Sequence, residues 1–76
     1  MLDNRPKKRS LTLSGHKTSV SLEEPFWIYF SKLALEKEQS INGLASFIDR
    51  KRTPDTGLAT SIRIYCLTEA IKGKVK

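Results

Sequence analysis

One segment limits this chain more than any other: residues 16–24, which read HKTSVSLEE. Thr18, Val20 and Leu22 alternate with Lys17, Ser19 and Ser21, the period-2 pattern of a half-buried strand. Everything that follows has helical spacing. A strand in such company cannot stand alone, because its backbone N–H and C=O groups need a neighbour. Two neighbours are on offer: the chain's own segment 10–14, where Leu11 and Leu13 alternate in the same way, or the same strand from a second copy. The parity of the two alternating stretches flips across Gly15–His16, which predicts a turn or bulge there.

The rest of the chain divides readily. Residues 1–9 (MLDNRPKKR) have no periodicity, a proline and a basic cluster, and are expected to be a disordered arm. Residues 10–72 form the domain, and residues 73–76 (GKVK) are expected to fray. Glu23, Glu24 and Pro25 signal a helix start, since carboxylates suit the N-terminal dipole and proline fits the first turn. Phe26, Phe30 and Leu33 then make an apolar stripe, with Trp27 beside it. A second helix is predicted over 40–52, with Ser40 as N-cap, an apolar face of Ile41, Leu44, Ala45 and Ile48, and Arg50–Arg52 near the C-terminal dipole. After the turn signal TPDTG, residues 58–72 read as a third helix with two apolar faces. One holds Leu58, Ile62 and Cys66 with Tyr65, and the other Ile64, Leu67 and Ile71. Such a helix expects more than one partner surface.

Size points toward self-association. A chain of 76 residues is marginal as a monomer, and small domains are usually held by disulfides, a metal or a partner. Cys66 is the only cysteine, so no internal disulfide forms. With one cysteine and one histidine (His16), no metal site is expected. A lone cysteine and the absence of an apolar leader or a membrane-length stretch lead us to expect a soluble, cytoplasmic protein.

Charge is uneven. Residues 1–21 carry +4, residues 22–49 carry −3 and residues 50–76 carry +5, for a net +6. An acidic middle between basic ends suggests one electropositive face for a polyanion. No Ser-His-Asp order, phosphate-binding glycine loop or paired-carboxylate signal is present, so neither catalysis nor a cofactor is expected.

The run KTSVSLEEPFW, then QSINGLASFI, then SIRIYCL, in that order, resembles the ribbon-helix-helix superfamily, the fold of the Arc and MetJ repressors. It is most similar to a branch of short bacterial proteins, over about residues 8–71. The resemblance implies a mainly α fold with one short strand and a third helix appended. It implies an intertwined homodimer whose two strands pair antiparallel as an intersubunit ribbon, lying in the major groove of double-stranded DNA. Lys17, Ser19 and Ser21 would then face the bases. Ser40, Ile41 and Asn42, at the start of the second helix, match the family's phosphate clamp. Val20, Leu22, Phe26, Phe30, Leu33, Leu44 and Ile48 would form the dimer core. The basic arm, with Arg5, Lys7, Lys8 and Arg9, would track phosphates.

The expected function is therefore transcriptional repression or regulation by a nucleoid-associated homodimer, with two or more dimers on half-sites about one helical turn apart. With no arginine, asparagine or glutamine on the outward strand positions, modest base specificity is expected. The alternative is a dimeric adaptor or antitoxin-like module that docks a protein on the third helix.

Overall fold

Two strands and three helices follow one another in the computed structural model, which describes the backbone of residues 5–75 and the side chains of residues 5–73. They are β1 (Pro6–Leu13), β2 (His16–Glu23), α1 (Glu24–Glu36), α2 (Ile41–Lys51) and α3 (Leu58–Val75). Residues 1–4 of the expected arm lie outside the described residues.

The strand finds its neighbour in its own chain. β1 and β2 pair antiparallel from Leu13↔His16 to Pro6↔Glu23. Ser14 (φ 51) and Gly15 (φ 88) form a two-residue loop with both φ positive, the backbone that matches the right-handed twist of a hairpin. The flip of parity at this point is thus a tight turn.

Two expectations are corrected here. The fold has two strands of eight residues, not one short strand, and residues 6–9 belong to β1 and not to an arm. Local sequence hides this because Lys7 and Arg9 occupy the helix-facing positions where apolar side chains would have advertised a strand. Tertiary contacts hold the segment instead. The Trp27 indole N–H donates to the Lys7 carbonyl at 2.8 Å, and the Arg9 guanidinium lies 5.2 Å from the centre of the Trp27 ring. At the other end α3 runs on to Val75, so residues 73–75 of the expected tail are helical, and Lys76 lies outside the described residues.

Helix-facing side chains of the hairpin (Leu11, Leu13, Val20 and Leu22) are all buried. α1 adds Trp27, Phe30, Leu33 and Ala34, α2 adds Leu44, Ala45 and Ile48, and α3 adds Ile62 and Cys66. Trp27, not Phe26, is the fully buried aromatic at the start of α1, and Phe26 packs at the margin. The residues assigned to a dimer core are, apart from Phe26, buried already within the single chain. Cys66 is a packed thiol, and burial pushes its pKa up to about 11.

Local stops and ties explain the helix arrangement. α1 ends where Glu38 takes a left-handed φ of 56, letting Glu38 N–H reach the Leu35 carbonyl and Gln39 N–H the Ala34 carbonyl, a Schellman closure. Arg63 of α3 reaches back to β2, with Nε 2.9 Å and Nη2 3.2 Å from the two Glu23 carboxylate oxygens. That guanidinium, donating to Glu23, holds the carboxyl below the usual carboxylate range. Arg52 closes the α2–α3 connection through Asp49 and the Thr56 carbonyl, so it serves structure.

Candidate nucleic-acid interface

The hairpin register decides which side chains leave the core together. Leu11 and Val20 face the helices, so their neighbours in each strand face away. Three cross-strand pairs result: Lys8 with Ser21, Ser10 with Ser19, and Thr12 with Lys17. Six short or flexible polar side chains thus share one face of a two-stranded ribbon. Among the described residues neither Lys8 nor Lys17 has an ion-pair partner. Lys17, Ser19 and Ser21 lie where the sequence reading put them. Lys8, Ser10 and Thr12 double that surface, and the alternation of Leu11 and Leu13 was the signal that would have found the latter two.

The basic cluster is divided by the strand it belongs to. Lys8 points outward, whereas Lys7 and Arg9 fall on the helix side, and Arg5 precedes the strand. Arg9 is half-exposed, 3.7 Å from the Glu24 carboxylate and stacked on Trp27. Its charge is therefore partly matched inside the molecule. Lys7, Lys8 and Arg9 are thus presented on alternating faces of a strand and not along one arm, because successive side chains of a strand point to opposite sides.

Next to the ribbon stands the N-terminus of α2. Its first N–H groups have no intrahelical partner and favour an anion. Ser40 caps the helix, its Oγ accepting from Gly43 N–H at 2.9 Å. Asn42 Oδ1 accepts from the Thr12 N–H at 3.0 Å. Two of the three clamp side chains thus have an oxygen committed to the fold, while the Ser40 hydroxyl proton and the Asn42 amide N–H₂ remain available as donors. Ile41 is half-buried and offers only its backbone.

The Asn42 bond also fixes the polarity of the hairpin edges. Thr12 turns its N–H away from β2, so in an antiparallel ladder Ser10, Lys8 and Pro6 do the same. On β2 the outward backbone groups belong to Lys17, Ser19, Ser21 and Glu23, and the Ser21 carbonyl accepts from Arg63 Nη2 at 3.3 Å. Polar ribbon face and helix N-terminus are tied by one hydrogen bond that no local pattern predicts, as the two residues are thirty apart in sequence.

Among the described residues no group of three or more His, Cys, Asp or Glu side chains could hold a metal ion, and no helix is long and apolar enough to cross a membrane. A family model described as "ribbon-helix-helix domain" matches residues 6–70, which is 65 of the 76 residues. No curated protein and no solved structure gives a significant match.

Proposed function

This chain belongs to the ribbon-helix-helix domain family, and from that premise we propose that it is a transcriptional regulator, acting as a repressor through double-stranded DNA bound by a homodimer. Members of the family generally bind DNA as dimers and are typically non-enzymatic DNA-binding or regulatory modules. The observation that carries the reading to this chain is the outward face of the hairpin, with Lys8 and Lys17 unneutralised at its two ends and four hydroxyls between them. A two-stranded ribbon fits a major groove about 12 Å wide. Serine and threonine hydrogen-bond base edges, and lysine reaches guanine O6 and N7.

In this reading each hairpin is a reading head by itself. The resemblance implied one strand from each subunit, but β1 already occupies one edge of β2. Adding a second copy's hairpin along the other edge would make four strands, roughly 14 Å between outer strand axes at the usual ~4.8 Å spacing. That exceeds the groove width. The cis hairpin therefore inserts as a unit, and the α2 N-terminus beside it rests on phosphate. A nucleoid-associated location and more than one dimer per operator complete the proposal.

The test is selection from a randomised duplex library at physiological salt, followed by comparison of chosen and random sequences. Lys17→Ala with Ser21→Ala is expected to weaken the selected site by about 1–3 kcal/mol per lost base contact and random DNA by less. Lys8→Ala is expected to lower the salt slope by about 0.9 per phosphate contact per subunit. Equal losses on every sequence after the first pair of changes would refute base readout, and no retention of any duplex at that salt would refute DNA binding.

A further inference from the structure

An open groove of about 360 Å³ runs between α2 and α3, and no strand residue lines it. Phe47 walls it on the α2 side, Ile64 and Tyr65 on the α3 side. Phe47 is 39% exposed and Ile64 56%, too open to count as core. On α3, Ser61, Tyr65, Thr68 and Lys72 follow one another at i, i+4, i+7 and i+11 along the same wall. That wall is about three helical turns, or roughly 16 Å, long.

Charge on the flanks of the groove is not balanced. Lys51 lies 5.7 Å from the centre of the Phe47 ring and, among the described residues, has no ion-pair partner. On the other wall a single carboxylate, Glu69, is shared by Lys72 at 3.3 Å and Lys37 at 3.4 Å, so one positive charge is left over. Arg52 adds none, because Asp49 matches it at 2.8 Å. The groove is therefore apolar along its walls and positive on both flanks.

We propose that this groove docks an acidic amphipathic helix of another protein, whose apolar side chains pack on Phe47 and Ile64 while its carboxylates meet Lys51 and Lys72. The proposal goes beyond the DNA-binding reading and does not depend on it. A helix in a groove is held by apolar anchors along one face, and three turns of wall accommodate three turns of partner. Charge then selects the occupant. A second copy would set positive flank against positive flank, which like-charge repulsion disfavours. A nucleic-acid backbone would satisfy the lysines yet leave Phe47 and Ile64 without apolar contact. The groove between α1 and α3, of about 330 Å³, has no such preference, because its one lining cation, Arg63, is matched by Glu23.

Selection from a random dodecapeptide display library on the full chain, at physiological salt, tests this. Recovered peptides are expected to carry aspartate or glutamate around large apolar residues spaced for one helix face. The tightest of them, titrated into isotope-labelled protein, should shift the backbone amide signals of Phe47, Lys51, Ile64 and Lys72 and leave those of Ser19 and Ser21 in place. Lys51→Glu is expected to raise the peptide dissociation constant about 10-fold, whereas Lys32→Glu, an equal change of net charge on α1, should leave it within about two-fold. Phe47→Ala removes a wall of this groove and not of its neighbour, and is expected to weaken the peptide about 10-fold. Lys51→Glu decides the matter should that variant fold poorly. Peptides without acidic enrichment, or none recovered at all, overturn the proposal. Equal weakening by Lys51→Glu and Lys32→Glu also overturns it, by reducing the effect to net charge. A random-sequence duplex that shifts the same groove amides in the absence of peptide assigns the surface to nucleic acid and overturns it as well.

Discussion

Two faces of this molecule are open to solvent and differ in almost every respect. The hairpin presents hydroxyls and two unpaired ammonium groups on a two-stranded ribbon. The outer side of α3 presents a line of aliphatic side chains whose neighbouring charges are matched within the chain. Both sit on the same core, through Val20 and Leu22 on one side and Ile62 and Cys66 on the other. The contrast shows how a domain of this size separates charged from apolar surface. Ammonium groups are left unneutralised on the ribbon, whereas along α3 aliphatic side chains are open to solvent beside charges matched within the chain. Glu23 and Arg63 stand where the two regions join, since their pair ties the end of β2 to the N-terminal part of α3.

If the ribbon face owes its position to its seat on α1, the largest effect on it comes from Trp27. Trp27→Ala removes a fully buried ring and the donor to the Lys7 carbonyl, and is expected to cost about 3–5 kcal/mol in urea unfolding followed by far-UV dichroism. Trp27→Phe keeps most of the ring and should cost considerably less, with about 1 kcal/mol coming from the lost indole bond. Asn42 gives a finer probe, because it links ribbon to helix terminus. Asn42→Ala is expected to lower stability by at most about 1 kcal/mol through loss of the solvent-exposed bond to the Thr12 N–H. Asn42→Asp keeps an acceptor and should hold stability, yet weaken duplex binding by adding a negative charge beside the phosphates. If Asn42→Asp bound duplex as well as wild type, the α2 terminus would not face DNA.

The smallest effect concerns pH. The folded Glu23 carboxyl titrates below its unfolded counterpart because Arg63 donates to its charged form. Its contribution is therefore fully present above the ordinary carboxylate pKa and is lost as pH falls through the lower folded value. Thermal melts between neutral and acid pH should show wild type and Glu23→Gln diverging at neutral pH and converging at the acid end. Parallel curves over the whole range would mean that the pair contributes nothing across the junction.

The helices were legible because their apolar residues recur at helical spacing and their ends carry local marks, Pro25 and Ser40 at the starts and TPDTG before α3. The two apolar faces of α3 were legible too, and the structure buries the first and leaves the second open. The first half of β1 was not. Its inward positions hold lysine and arginine, whose stems cover apolar surface while their charges stay at the margin. The choice between Phe26 and Trp27 was equally closed to periodicity, because adjacent residues on a helix lie only about 100° apart and a distant carbonyl settles which one turns inward. For the interface, the outward parity of Lys17, Ser19 and Ser21 followed from Val20 and Leu22 alone. The division of the basic cluster and the Thr12–Asn42 bond depended on a register that no short window contains.

Pro6 carries one last implication. It sits at a position whose missing N–H would have pointed off the outer side of β1, and a few residues along, Asn42 already occupies the donor of Thr12. A fibre grows by adding strands at both flanks of a sheet, and on this flank two of the four outward positions, Pro6 and Thr12, offer no free donor. Addition of a further strand along β1 is thereby hindered, while the outward flank of β2 keeps its donors at Lys17, Ser19 and Ser21.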